Sequence, residues 1–364
     1  MNAQAMGKPG VFVAPAKRDL QTLASQLSDW LGQRMPAARN IRVDNLDYPR
    51  GAGQSHETIL FDAAWEEGGE PRERGMVVRI KPTSFTVFLD DMFVEQYRLM
   101  RVMHESGRVK VAEVLWYEED PSILGAPFFV MEKLDGRVAV SIPSYMEEGW
   151  VFEATPEERA RLWRNGVHQL AAIQSVPLES VAFLARPEAG DGFAQELDRW
   201  RRFLDFIRAR RPLPFHEAAF RRIEETAPSN RPPGLVWGDA RIGNMMADKD
   251  FEILAVMDWE QPSLGGALHD LGWWLFNDRM KVIARGGELL AGLGGREETI
   301  ALWRELTGIP TDGIDWYEGF AGFKMSSLSV NMMDMRGETL PQDFGQTPMG
   351  REVSKLLRLP PPAA

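Results

Sequence analysis

The sequence predicts an α+β protein of two unequal parts, a small strand-rich part and a larger, mainly helical one. Three observations predict it. Runs of β-forming residues gather between residues 41 and 133. From about residue 150 the apolar residues switch to helical spacing. One short strand-like insertion, Leu235 to Trp237 with Ile253 to Met257, interrupts the helical stretch. The chain has 364 residues, more than the roughly 100–200 of one ordinary domain. The expected division is a helical extension over 1–40, a first lobe over 41–133 and a second lobe over 134–364.

Taken in order, Asp19, Leu20, Leu23, Leu27, Trp30 and Leu31 form an amphipathic stripe that Pro36 ends, a helix suited to packing across another domain. Thr58 to Trp65 and Met76 to Ile80 read as strands, separated by the polar, glycine-rich Glu66–Gly75 stretch. Met92 to His104 reads as a helix with Phe93, Tyr97, Met100 and His104 on one face. Phe128 to Glu132 is a further strand. Thr155-Pro156-Glu157-Glu158 has the form of a capping box with Pro at the first helical position. More helices follow near 193–210, 215–226, 268–286, 295–306 and 315–336.

Composition excludes several classes. With 44% hydrophobic and 26% charged residues the chain is neither disordered nor fibrous. Its 42 basic and 53 acidic residues give a formal charge of −11, against a nucleic-acid partner, which would require a basic face. The absence of cysteine removes disulfides, thiolate metal sites and a cysteine nucleophile. Met1 to Lys17 lacks a signal-peptide pattern, and no apolar run approaches the ~18 residues of a membrane span. The expectation is a cytoplasmic protein with no membrane partner.

The strand-like insertion carries the chemistry. Asp239 follows an apolar run in a loop opened by Gly238, Asn244 stands five residues on, and Asp258 ends the next apolar run. A hairpin would set Asn244 beside Asp258 with Asp239 close by. An amide and a carboxylate oxygen suit Mg²⁺, which leaves positions for phosphate and water. A third carboxylate, off the metal, can orient a hydroxyl nucleophile and take its proton.

These residues, Trp237-Gly238-Asp239-Ala240-Arg241-Ile242-Gly243-Asn244 and Met257-Asp258-Trp259-Glu260, resemble the aminoglycoside phosphotransferase and choline kinase-like family of the protein-kinase-like superfamily. The likeness is strongest to its bacterial aminoglycoside phosphotransferase branch, related to the kinase-like domain attached to some acyl-CoA dehydrogenases. It covers roughly residues 40–340 by order of motifs. It implies a two-lobed kinase-like fold, an antiparallel sheet of five strands with one helix leading into a mainly helical lobe, and ATP with Mg²⁺ in the cleft. It implies Asp239 as the catalytic base and Asn244 and Asp258 as metal ligands. Trp237 stands where the family has His, and Trp259-Glu260 where protein kinases have Phe-Gly. Arg241 is a candidate to neutralise the transferring phosphoryl group, or an ordinary loop arginine. In Gly265 to Trp274, Asp270 would accept hydrogen bonds from the catalytic-loop backbone, and His269 reads as a packing residue.

The same likeness sends the nucleotide contacts upstream. Gly51-Ala52-Gly53-Gln54-Ser55 precedes a strand rather than following one, which suits a phosphate-covering turn with its N–H groups near Ser55. A plain turn fits as well. Arg79 and Lys81 share a strand face; Arg79 takes the family's phosphate-binding position, Lys81 is its reserve, and Glu95 is the expected ion-pair partner. Met131 would border adenine, and the backbone of Glu132 to Leu134 would hydrogen-bond it. Trp273, Trp274, Phe320, Phe323 and the methionines of 325–335 form either a partly apolar acceptor region or plain core. The acceptor is a small-molecule hydroxyl, on an aminoglycoside or another alcohol. Two rivals stand: a kinase-like protein that binds nucleotide without turnover, and a dinucleotide-dependent enzyme using the Gly51–Gly53 turn.

Overall fold

The computed structural model describes residues 18–49, 57–83 and 87–359. Ser55 and the Gly51–Gly53 turn lie outside the described residues. The first lobe is an antiparallel sheet of five strands in the order β1-β2-β3-β5-β4: β1 (Arg39–Asp47), β2 (Glu57–Glu67), β3 (Glu70–Ile80), β4 (Val114–Glu118) and β5 (Phe128–Glu132). One face is read directly from alternation. Ile59, Phe61 and Ala63 of β2, Met76, Val78 and Ile80 of β3, and Phe128 and Val130 of β5 are all buried on it. Helix α1 (Leu20–Arg34) covers that face with Leu23, Leu27, Trp30 and Leu31. Trp30 meets Phe128 edge-on at 4.8 Å and Trp116 at 5.9 Å. The other face takes α2 (Phe93–Ser106), with Phe93 against Phe129 at 5.3 Å.

The β2–β3 hairpin is longer than its apolar signal. Glu67 pairs with Glu70 across Gly68-Gly69, both at positive φ (62° and 84°), the demand of a two-residue hairpin turn. Its outer rungs are exposed, so no alternation marks Glu66 to Gly75 as strand. For the same reason β1, an edge strand with no buried position, carried no clear signal.

Beyond the short helices α3 (Pro121–Leu124) and α4 (Trp150–Glu153), the second lobe packs α5 (Pro156–Ile173), α6 (Gly192–Arg208), α7 (Pro214–Glu225), α8 (Leu268–Arg285), α9 (Arg296–Thr307), α10 (Ile314–Met335) and α11 (Pro348–Leu357) around one core. The capping box of α5 forms as the sequence suggests: Thr155 Oγ1 accepts from Glu158 N (3.2 Å) and Glu158 Oε2 from Thr155 N (2.8 Å). A sheet of three strands sits against these helices: β6 (Arg137–Val138), β7 (Met245–Ala247) and β8 (Ile253–Val256). Leu235 to Trp237 is not a strand of it. That run makes a single bridge, Val236 to Ser263, and its apolar character reflects complete burial. Phe320 and Phe323 are core residues, stacked on each other at 6.2 Å.

Contacts other than the chain's crossing at residues 133–136 also join the two lobes. Asp90, in the connection after β3, meets Arg186 (3.0 Å), Arg199 (3.3 Å) and Arg202 (2.9 Å) of the helical lobe. Asn331 Nδ2 donates to Val87 O at 2.9 Å. Among the described residues no helix is long and apolar enough to cross a membrane.

Candidate active site

The hairpin β7–β8 brings the C-lobe candidates together. Met245 is registered against Val256, and Met257 N donates to Asn244 O at 2.9 Å, so the residues flanking the hairpin meet at its open end. Asn244 Nδ2 donates to Asp239 Oδ2 at 2.6 Å and to Asp239 O at 3.1 Å. Asp239 also accepts from Trp273 Nε1 at 2.8 Å and from Arg241 Nε at 3.1 and 3.2 Å. Arg241 Nη1 reaches Ser141 Oγ at 2.7 Å. In this arrangement Arg241 neutralises Asp239 itself.

Asp270, at the start of α8, holds the loop from behind. Its Oδ2 accepts from Trp237 N at 2.6 Å and its Oδ1 from Gly238 N at 2.9 Å. Burial pushes its carboxyl up to about 6, against the pull of those two N–H groups. Gly238 is at φ 102°, and a Cβ there would lie 2.6 Å from Gln261 O, so only glycine fits. Trp237, in place of a histidine, donates its indole N–H to Met257 O at 2.8 Å and so ties the Asp239 loop to the Asp258 turn.

Asp258 adopts φ 63°, a conformation that costs a non-glycine residue of order 1 kcal/mol and is held only by its surroundings. Burial, then the charge of Glu260, raises its carboxyl well above the usual range; Asp239 adds to this, while Arg79 and Arg241 oppose it. An under-neutralised carboxylate and an amide oxygen, carried by residues that flank one hairpin end, are a donor set that fits a divalent cation. Among the described residues no three His, Cys, Asp or Glu side chains form a metal cage. Such an ion would therefore draw further oxygens from phosphate and water, as Mg²⁺ commonly does.

The N-lobe contacts depart from expectation. The Arg79 guanidinium reaches Glu260, Nη2 to Oε1 at 2.8 Å, across 181 residues. Glu95 makes no ion pair among the described residues. The buried face of α2 runs through Phe93, Gln96, Leu99, Met100 and Met103, and Glu95 lies about 100° away from Gln96 around the helix. Lys81 is paired with Asp91. At the lobe crossing, Glu132 N donates to Glu113 O (2.9 Å) and Lys133 N to Gly75 O (3.0 Å), so neither N–H is open to a base. Leu134 N has no backbone partner among the described residues, and Met131 is half-buried. Glu260 was the partner the sequence reading missed; its place directly after Trp259 was the only signal.

A cavity of about 660 Å³ lies elsewhere in the helical lobe, lined by Phe215, His216, Leu340 and Phe344. None of the candidate groups lines it.

The order of these parts, a sheet lobe joined to a helical lobe with the Asp239 loop and Asp258 turn between them, defines a kinase-like phosphotransferase fold. The chain belongs to the phosphotransferase enzyme family, whose model matches residues 49–309. It is 26% identical over 299 residues to acyl-CoA dehydrogenase family member 11 of Gallus gallus, covering 76% of this chain and 35% of that protein. The chain spans from about a fifth to two fifths of the length of the curated relatives it matches. Among solved structures it resembles a Ralstonia eutropha protein provisionally assigned as an aminoglycoside phosphotransferase, with TM-score 0.66 and 21% identity over 92% of this chain and 95% of that one. It also resembles aminoglycoside phosphotransferase APH(4)-Ia solved with ADP and hygromycin B, with TM-score 0.55 and 15% identity over 92% and 98%. At these identities the structural likeness establishes the fold.

Proposed function

We propose that this chain is an ATP- and Mg²⁺-dependent phosphotransferase that moves the γ-phosphoryl group of ATP to a hydroxyl of a small molecule, an aminoglycoside or another alcohol, in the cytoplasm. The observation that carries this reading is the convergence of Asp239, Asn244 and Asp258 at the open end of one hairpin. In the reaction the acceptor oxygen forms a bond to the γ-phosphorus as the bond to the β–γ bridging oxygen breaks. The hydroxyl proton passes to the Asp239 carboxylate, and ADP leaves. Mg²⁺, when bound by Asn244 Oδ1 and Asp258, supplies charge neutralisation to the phosphates. Asp270 fixes the loop, and Trp273 and Asn244 fix the rotamer of Asp239. The Arg79–Glu260 pair holds a guanidinium on the sheet face that looks into the cleft, where it would meet phosphate oxygens.

One observation favours a second reading, a kinase-like protein that binds nucleotide without turnover. Three side chains, Arg241, Trp273 and Asn244, already occupy the carboxylate of Asp239. Release of ADP separates the two. Wild-type protein should hydrolyse ATP slowly in a Mg²⁺-dependent manner, and Asp239→Asn should lose this by about 10²–10⁴-fold while still binding the nucleotide. Binding without hydrolysis in both proteins would establish the second reading.

A further inference from the structure

Helix α8 does more than hold the catalytic loop. Trp273, Asn277 and Lys281 stand at i, i+4 and i+8 and so form one row along the helix. The row begins at the reacting group, since Trp273 donates to Asp239 at 2.8 Å. One turn on, Asn277 Oδ1 is buried with no hydrogen-bond partner among the described residues. A second turn on, Lys281 is half-buried and makes no ion pair among the described residues. Its ammonium rests 4.3 Å from the centroid of the buried Tyr145 ring. Long helix side chains lean toward the helix N terminus, so Lys281 leans back toward Asn277 and Asp239.

Leaving an ammonium half-desolvated over a ring, with an orphaned amide beside it, is costly without a ligand. Burial lowers the proton affinity of Lys281, and the charge of Arg241 lowers it further, while Asp278, Asp239 and Glu147 act in the opposite sense. Asp278 is an incomplete counter-ion, because burial pushes its own carboxyl up to about 7. Across from this row, Ser141 ties Arg241 in place, and Ile142 beside it is 90% exposed. Lys281 is therefore the cation on this side of Asp239 that no ion pair among the described residues engages, since Arg241 is spent on Asp239 itself.

We propose that the Trp273–Asn277–Lys281 row is the acceptor subsite, and that the acceptor is an alcohol bearing an anionic group, a carboxylate or a phosphate, which pairs with Lys281 while its hydroxyl faces Asp239. This rests on the phosphotransferase reading above. Asn277 hydrogen-bonds the polar atoms between the two ends. The rows are two helical turns apart at the backbone, about 12 Å, and the lean of Lys281 shortens that span, so the acceptor is short.

The test uses the full chain saturated with MgADP and four small alcohols that differ in charge: glycerol, 3-amino-1,2-propanediol, glycerate and glycerol 3-phosphate, at equal ionic strength. The readout is the shift in thermal unfolding temperature. Glycerate, glycerol 3-phosphate or both should stabilise wild type, and which of the two does so identifies the anion. Lys281→Met should weaken that response about tenfold in ligand concentration, and Lys281→Glu should turn the preference toward the amino-diol. Lys249→Met, altering an exposed lysine paired with Asp250, should respond as wild type does. Preferential stabilisation by the amino-diol, an equal anion response in Lys281→Met, or no response to either anion would each overturn the proposal. Mg²⁺-dependent ATP hydrolysis by the wild type is measured alongside. If it is absent while the anion response stands, the phosphotransferase reading fails and the anion site survives.

Discussion

The two walls of the cleft are built differently. The C-lobe wall is local: Asp239, Arg241 and Asn244 lie within six residues and hydrogen-bond one another, and one hairpin brings Asp258 to them. The N-lobe wall is assembled at long range, with Arg79 of β3 reaching Glu260, which follows the Asp258 turn. Local geometry is dictated by spacing, so motif chemistry identifies it. A long-range ion pair depends on which face of a helix or strand meets the cleft, and acidic character alone misassigns it.

The largest expected effect breaks the C-lobe wall. Asn244→Ala removes the amide that orients Asp239 and the oxygen proposed to hold the metal, and phosphoryl transfer should fall by about 10²-fold or more in kcat. Activity within a few-fold of wild type would show that the hairpin does not organise the site. Trp273→Phe tests the same wall more gently. It deletes one hydrogen bond to a carboxylate, of about 1.5 kcal/mol or more, and should lower kcat roughly tenfold with little change in KM for ATP.

The N-lobe wall is sharpened by a pair of variants. Glu260→Gln should raise KM for ATP about tenfold, because it removes the charged acceptor that orients the Arg79 guanidinium. Glu95→Gln, on the wrong face of α2, should stay within about twofold. The reverse ranking would return Glu95 to the role the sequence suggested.

The smallest effect lies outside the cleft. Burial lowers the His216 imidazole to about 4, from an ordinary value near 6.5. Below pH about 6.5 the unfolded chain takes up a proton that the folded chain refuses. The stability linked to neutral His216 is therefore full above that pH and is lost as pH falls toward 4. Relative to wild type, His216→Leu should gain stability by about 1.4 kcal/mol per pH unit over that window, measured by chemical denaturation. A constant difference between the two proteins would show that His216 is not buried in its neutral form.

Much of this molecule was legible in its sequence, and the gaps have physical causes. Alternation in Ile59, Phe61 and Ala63 marks β2 because one sheet face is buried under α1. The outer half of the β2–β3 hairpin and the edge strand β1 bury nothing and so leave no pattern. Leu235 to Trp237 is apolar because it is enclosed on all sides, which mimics a strand. At the site, Asp239, Asn244 and Asp258 flank one hairpin as their spacing suggested, and Asp270 accepts from the Trp237 and Gly238 N–H groups as the family resemblance implied. Glu95 makes no ion pair among the described residues, and the Glu132 and Lys133 N–H groups expected at adenine are spent within the sheet. Trp273, read from the sequence as part of an apolar acceptor region or of the core, touches the candidate base. No sequence period encodes that contact, because it depends on how α8 lies against the loop.

The most direct test of the central claim is titration of Mn²⁺ as a spin probe, in the presence of ATP, with wild type, Asp239→Asn and Asp258→Asn. Wild type and Asp239→Asn should immobilise Mn²⁺ with the nucleotide, with only wild type turning over, and Asp258→Asn should bind the ion at least about tenfold more weakly. Undiminished ion binding by Asp258→Asn, or undiminished turnover by Asp239→Asn, would contradict the account.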